Sequence, residues 1–378
     1  MAGAISSVAR NRVAADSTLI VEDITASAAR HHAYAGHETV LLGRDDERGL
    51  TAIIAIHSTR LGPAIGGTRI WAHPHFDDAL ADVLRLSEGM THKAAVAGLP
   101  HGGGKAVIIA NPKRQKTTEL FDAYAEMLGL VAERYFTAED VGLTLADADY
   151  LKARTPNVLG TTRGGSKNPS PVTAFGVFLG IKSSVRHRLG KESVDGLTVA
   201  VQGLGAVGVE VARLLVDEGA RLIVSDIDPE RVDRAVKAWG ARLAEPDDIL
   251  AMEADVLAPC ALGGGLNAQS IPMVRAQIVA GAANNQLATV ADAERLAEAG
   301  ILYAPDYVIN AGGLLNVAGE LASGGYDRDR VFSSVRAIPE TLATIFRRAE
   351  EERTSTEAIA RVITRERLSM ADGTGRPG

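Results

Sequence analysis

Residues 199–208 read VAVQGLGAVG, an apolar run that ends in Gly203, Gly205 and Gly208 at G-x-G-x-x-G spacing. Alone, the glycines could mark nothing more than a tight turn. Their surroundings argue for more. The run before them has the pattern of a buried strand, AVGVEVARLLVDEG after them has that of a helix, and RLIVSD ends the next strand on Asp226. Strand, glycine turn, helix, strand and terminal acid together describe a dinucleotide-binding unit. The glycines let the backbone, including Ala206 and Val207, approach a pyrophosphate, which the helix N-terminus then faces. Asp226 would accept hydrogen bonds from the adenosine ribose and repel a 2′-phosphate, so NAD is expected over NADP. The plainer role for Asp226, as a helix cap, could equally fall to Asp228. Further strands at ADVLAPC, IVAGAAN and ILYAPDYVIN alternate with helices, implying a mainly parallel sheet.

The 378 residues suffice for at least two domains. With 46% hydrophobic and 23% charged residues, the composition is that of a globular protein. A net charge of −7 supplies no basic field for nucleic acid or for an anionic membrane. The single cysteine, Cys260, excludes an internal disulfide framework and a multi-cysteine metal site, so no metal and a reducing cytoplasm are expected. No apolar run is long enough to span a bilayer. The first 28 residues read as a loosely ordered extension, and the tail MADGTGRPG as a frayed end.

The first half is patterned as a hairpin over residues 39–56, a helix in HFDDALADVLRLSEGMTHKAAVAG and a second helix after KTTELF. Between the helices lies GLPHGGGKAVII, where three glycines precede Lys105. They read as a flexible turn ahead of a buried strand AVIIA. The stretch lacks the G-x-x-x-x-G-K-[ST] arrangement of an ATP loop. A lysine so confined, with another cation nearby, is a candidate general base. Lys93, at the end of the preceding helix, is a candidate for a carboxylate partner, although an ordinary lysine is simply solvated. Asp140 in YFTAEDVG is open between a turn or cap role and a catalytic one.

The motifs LGPAIGGTRIW, GMTHKAAVAGLPHGGGKAVI, TAEDVG, NPSPVTAFGV, VQGLGAVG, PCALGG, AGAANNQL and LYAPDYVINAGG occur in that order between Glu38 and Gly325. On these the chain resembles the amino-acid dehydrogenases of the glutamate, leucine, phenylalanine and valine dehydrogenase superfamily, most closely the leucine/valine/phenylalanine branch. The resemblance implies an α/β protein of two domains separated by a cleft, the second a Rossmann-type dinucleotide-binding domain and the first an α/β substrate and oligomerisation domain. We divide the chain into an extension (1–28), a substrate domain (29–163) onto which part of the C-terminal helices, at about 330–368, packs back, and an NAD-binding domain (164–329). Closure about the loop at Gly164 and Gly165 is expected to expel water.

What the family implies is reversible, NAD-linked oxidative deamination of an L-amino acid to a 2-oxo acid and ammonium. By that resemblance Lys105 is the base toward the attacking water, Lys93 binds the substrate carboxylate and Asp140 assists proton transfer at the amino group. Asn310 lies by substrate and nicotinamide, Gly66 and Gly67 line the cleft, and Thr173 and Asn285 serve the cofactor. A homo-oligomer, dimer or octamer, is implied as well. The side-chain pocket matches Ile65, Ala138, Leu314 and Val317. Bulky Ile65 and Leu314 favour valine or leucine over phenylalanine or another aromatic substrate. A non-catalytic NAD-binding protein is the alternative of a different class. His101 and Asn284 depart from the family pattern. His101 could hydrogen-bond near Lys105 or merely fill space.

Overall fold

The structure, a computed structural model, describes residues 10–12 and 17–373, which form two compact units. Unit 1 holds the chain up to Lys167, residues 320–326 and the chain from Leu368. Unit 2 holds Asn168–Gly319 and Asp327–Arg367. Among the described residues no helix is long and apolar enough to cross a membrane.

Unit 1 is built on one mixed sheet. Its strands are β1 (Arg10–Arg12), β2 (Ile20–Asp23), β3 (Thr39–Asp45), β4 (Leu50–Ser58), β5 (Ala64–Ile65), β6 (Thr68–Trp71), β7 (Gly102–Ile109) and β8 (Tyr135–Phe136). The order is β1-β2-β3-β4-β7-β5-β8, with β6 continuing β5 along the same edge of β7. The helices are α1 (Thr25–Ala28), α2 (Phe76–Val96), α3 (Thr118–Gly129) and α4 (Leu145–Lys152). Side chains alternate across the sheet, which divides its apolar residues between two cores. Ile54, Ile56, Ala106 and Ile108 pack with Phe121 and Tyr124 of α3, whereas Ile53, Ala55 and Val107 pack with Ala79, Val83 and Leu84 of α2. Each isoleucine, valine or leucine among them contributes about 1.5–3 kcal/mol by leaving water.

Two expectations change here. The presumed extension is partly sheet, since β1 pairs with β2 and β2 with β3, and Leu19 and Ala28 are buried. An extended segment with Leu19 and Val21 turned inward gains apolar burial by adding to the sheet edge. The rest of the expectation for the two ends falls on residues 1–9, 13–16 and 374–378, outside the described residues. Residues 370–373, read as frayed, belong to the last helix.

Unit 2 has a six-stranded, wholly parallel sheet. Its strands are β9 (Thr198–Gln202), β10 (Arg221–Ser225), β11 (Arg242–Leu243), β12 (Val256–Pro259), β13 (Ile278–Val279) and β14 (Leu302–Tyr303), in the order β11-β10-β9-β12-β13-β14. Central β9 is apolar at Val199, Ala200 and Val201 and buried on both faces, as a covered parallel strand must be. The order reverses beside β9, which is where such sheets open a ligand crevice at the strands' carboxyl ends.

Its helices are α5 (Ser170–Leu189), α6 (Gly208–Asp217), α7 (Pro229–Trp239), α8 (Ala291–Glu298), α9 (Asp306–Ile309), α10 (Gly312–Ala318), α11 (Arg328–Val335), α12 (Ile338–Glu352) and, as far as Arg367, α13 (Thr356–Gly373). α7 begins on Asp228, whose Oδ1 accepts the Glu230 N–H at 3.0 Å, with Pro229 in its first turn and Gly240 closing it in the left-handed region. The chain over Asp327–Arg367 is counted with unit 2, and the chain from Leu368 with unit 1. α11 and α12 lie against α5, where Gly180 has no side chain to obstruct Ile309 or Leu342. The unit boundary also falls at Lys167, four residues past the expected one, because the 160–166 loop is tied within unit 1: the Gly160 and Ser166 N–H groups both donate to Glu320 Oε1, at 2.8 and 2.7 Å.

Candidate active site

In unit 1 the sheet reaches the candidate chemistry at the start of β7. Gly102–Gly104 were expected to form a flexible turn, yet all three are strand residues, buried and paired with β4 and β5. Close approach, rather than mobility, is what requires glycine. A Cβ on Gly102 would lie 1.8 Å from Ser58 O, on Gly103 2.0 Å from Thr91 N of α2, and on Gly104 2.7 Å from the Tyr135 ring. The backbone of α2 thus rests directly on the strand, and Lys105 is the first β7 residue with a side chain.

Lys105 shares the α2 face of the sheet with Val107 and is 7% exposed. Its Nζ donates to Asp140 Oδ2. The group in contact with Lys105 is therefore a carboxylate. Asp140 arrives on an extended segment beside β5 and β6. There the Gly66, Thr68 and Ile70 N–H groups donate to the carbonyls of Phe136, Ala138 and Val141, at 3.1, 3.0 and 2.8 Å. Gly67 permits the approach, since a Cβ there would meet Glu139 O at 2.6 Å and Asp140 Cβ at 2.9 Å. Gly66 is equally constrained, its Cβ position lying 1.8 Å from Gly104 O.

Arg69, which the sequence reading passed over, completes the group. Its guanidinium lies 3.9 Å from Asp140 Oδ1 and donates to both Asp82 oxygens, at 2.9 and 3.0 Å. Burial works to raise the Asp140 pKa, but the charges of Lys105 and Arg69, with hydrogen bonds from Lys105 and the Val141 N–H, hold it below its ordinary value. The signal was present in LGPAIGGTRIW: Arg69 alternates with Thr68 and Ile70, both of which are buried. Arg69→Ala is expected to lower kcat by roughly ten- to hundredfold through loss of Asp140 positioning. It should also move the acid limb of the pH–rate profile upward, since a cation that favours the carboxylate is removed. A profile identical to wild type would show that Arg69 serves only Asp82.

The remaining unit 1 candidates are placed as follows. Lys93 is half-buried in the last turn of α2. Ile65 is 1% exposed and pairs with Gly103, and Ala138 is 8% exposed. His101 is hydrogen-bonded to the Pro63 backbone, and burial, partly offset by that bond, lowers its pKa. It stands four strand residues, about 13 Å, from Lys105.

In unit 2, Gly203 has φ +96° with Ala261 against it, and a Cβ on Gly208 would lie 2.0 Å from Gly203 O. Gly205 has nothing within 4 Å of its Cβ position, so the middle of the loop borders open space through which a pyrophosphate can pass. Ala206 is exposed and Val207 partly so. Asp226 closes the loop: Oδ2 accepts the Leu204 N–H at 2.6 Å and Oδ1 the Asp228 N–H at 2.9 Å. Burial opposes its ionisation, but these N–H groups and Arg231 keep its pKa low. Asn310 is 3% exposed, and its Nδ2 donates to Ala282 O at 3.0 Å and Asn284 Oδ1 at 2.8 Å. Asn284, noted as a departure, thus orients Asn310. Asn285 follows at φ +52°, its carbonyl accepting the Gly264 N–H at 2.7 Å. Thr173 Oγ1 lies 2.9 Å from the Cβ position of Gly313, on α10 with Leu314 and Val317. The four expected pocket residues are divided between units, Ile65 and Ala138 in unit 1 and Leu314 and Val317 in unit 2.

Known proteins match this chain along most of its length. Residues 37–157 match the Glu/Leu/Phe/Val dehydrogenase dimerisation domain, and residues 164–229 and 227–371 the Glutamate/Leucine/Phenylalanine/Valine dehydrogenase domain. A leucine dehydrogenase of Geobacillus stearothermophilus is 46% identical over 334 residues, covering 88% of this chain and 90% of the relative. An L-tryptophan dehydrogenase of Nostoc punctiforme is 46% identical over 335 residues, covering 88% and 94%. A crystal structure of L-tryptophan dehydrogenase from Nostoc punctiforme superposes with a TM-score of 0.80 at 44% identity, covering 90% of this chain and 98% of that one. The chain belongs to the Glu/Leu/Phe/Val dehydrogenase family and is an amino-acid dehydrogenase.

Proposed function

We propose that this dehydrogenase uses NAD to convert an apolar L-amino acid reversibly into its 2-oxo acid and ammonium. The observation that carries the reading is the buried Lys105–Asp140 pair beside Gly66 and Gly67. NAD, when bound, supplies the acceptor for the hydride of the substrate α-carbon. The glycine loop is assigned to its pyrophosphate, Asp226 to its ribose hydroxyls, and Asn310 and Thr173 to the nicotinamide end. Lys93 holds the substrate carboxylate. Lys105 takes the proton of the water that attacks the imine carbon. Asp140 orients the Lys105 amine and carries the proton to the nitrogen, which leaves as ammonium while water supplies the oxo oxygen. Self-association is assigned to residues 37–157, supported by the designation of the matching domain.

For the side chain we place an aromatic amino acid, tryptophan or phenylalanine, ahead of the branched aliphatic ones. Ala138, one of the four expected pocket residues, is small and leaves room for a ring. A relative named for L-tryptophan matches this chain in both sequence and fold. NADH formation across tryptophan, phenylalanine, leucine and valine, with NADP in parallel, tests both choices. We expect the highest kcat/KM with an aromatic substrate and NAD. A preference for leucine or valine above about tenfold, the worth of one or two methylenes, would return the substrate to the branched-chain class. No turnover with any of them would remove the proposal.

A further inference from the structure

We infer that Asp306 is a positioning residue for the reaction: its carboxyl closes a ring of hydrogen bonds that fixes Asn310 with the side-chain oxygen turned to the ligand. The inference rests on the proposal that Asn310 serves the nicotinamide end of NAD. Asp306 lies in the YAPDYVINAGG stretch, four residues before Asn310, yet no step proposed above uses it. It is 7% exposed at the start of α9, a helix of four residues that takes its stability from what surrounds it. The ring can be followed from atom to atom. Asp306 Oδ2 accepts the Gln286 N–H at 2.7 Å, from twenty residues back in the chain, and the Tyr303 O–H at 3.2 Å. Gln286, 1% exposed, folds its side chain over its own loop, Nε2 donating to Gly281 O at 2.9 Å and to Ala283 O at 3.1 Å. The same loop supplies Ala282 O and Asn284 Oδ1, which occupy the two donors of the Asn310 amide. The Asn310 N–H then donates to Asp306 O at 3.0 Å, and the ring is closed.

A carbonyl accepts and never donates, so Ala282 O admits only the nitrogen of the Asn310 side chain. Oδ1 is left turned the other way, buried and with no hydrogen-bond partner within the protein. A buried acceptor so placed calls for an N–H donor, which the nicotinamide carboxamide and the substrate amino group both carry. Without the Asp306 carboxyl the buried Gln286 N–H loses its acceptor, and the 281–286 loop loses its tie to α9. The loop then shifts, taking Ala282 and Asn284 away from Asn310, and a misplacement of about 1 Å costs on the order of a hundredfold in rate.

Hydrogen exchange read by mass spectrometry on the full chain, without ligands, tests the ring directly. In Asp306→Ala the 281–286 segment should exchange at least about tenfold faster than in wild type, with β9 unchanged, and kcat should fall by about ten- to hundredfold. Asp306→Asn, which keeps one side-chain oxygen for the Gln286 N–H, should recover most of both. In an Asn310→Ala background, Asp306→Ala should cost no more than about twofold further, because the two residues act as a unit. Calorimetry on Asp306→Ala with NAD and with ADP-ribose, which lacks the nicotinamide, names the donor. A loss confined to NAD assigns the Asn310 oxygen to the carboxamide, and unchanged affinity for both with a raised amino-acid KM assigns it to the amine; each supports the ring. Asp306→Ser, whose oxygen ends one bond short of the carboxyl oxygens, takes the place of the alanine variant should that fail to fold. Unchanged exchange at 281–286, losses that add to those of Asn310→Ala, or an asparagine variant no better than alanine overturns the inference. Asn310→Ala alone turning over within about twofold of wild type would overturn the reading of Asn310 itself, a result separable from the others because it needs no change at Asp306.

Discussion

Replacing Lys105 by alanine is expected to lower kcat by about 10²–10⁴-fold, the usual contribution of a positioned proton acceptor. The side chain is buried at the head of β7, so the variant removes an amine that water cannot easily replace. It also leaves Asp140 with Arg69 as its charged neighbour. NAD binding should persist, because the glycine loop, Asp226 and Asn310 all belong to unit 2. Steady-state kinetics, with NAD affinity measured by calorimetry on the same preparation, separates the two effects. Turnover within about tenfold of wild type would show that Lys105 is not the base. Loss of NAD affinity in proportion to turnover would show that the substitution had damaged the fold rather than the chemistry.

The second large effect is on stability. Gly103→Ala is expected to cost about 3 kcal/mol or more, at the upper end of overpacking penalties. The added Cβ would sit 2.0 Å from Thr91 N and 2.4 Å from Thr91 Oγ1, and a helix backbone cannot yield as a side-chain tip can. Relief requires α2 to lift from the sheet, carrying Lys93 with it, so activity should fall along with stability. Gly89→Ala, in the same helix with nothing within 4 Å of its Cβ position, is the control. It should stabilise by up to about 1 kcal/mol, the helix propensity difference between the two residues. Urea denaturation of both variants decides the matter, and two changes of the same sign would refute the packing argument.

Unit 2 was legible because its signals are local. An apolar strand, a glycine turn, a helix and an acid follow one another within about thirty residues, and the structure places β9, α6 and β10 there. Unit 1 was less so. β5 and β6 are two and four residues long, and their strand character comes from pairing with β7, which lies more than thirty residues away in sequence. The glycines of β7 were read as a turn because local propensity reports backbone freedom and is blind to a helix arriving from the other side. α4 was missed although Thr144 and Asp147 spell its capping box, since its eight residues carry little apolar periodicity. For the site, Lys105 and Asp140 could be named from motifs. Their direct contact, and the part of Arg69 in it, depend on a strand edge that periodicity alone does not reveal.

Beneath that edge, Thr68 Oγ1 meets both Tyr124 Oη and Thr137 Oγ1 at 2.6 Å, all three residues being buried. Three hydroxyls sealed from water satisfy one another only when Thr68 lies opposite Thr137, so a slip of one residue would strand polar groups in an apolar core. The chain of hydroxyls therefore works as a key for alignment. It ties the spacing from residue 137 to Asp140 to the spacing from residue 68 back to Gly66. The side chain at Ala138 can consequently be exchanged without disturbing this alignment, whereas an insertion or deletion between 137 and 140 would unseat the carboxylate from its lysine.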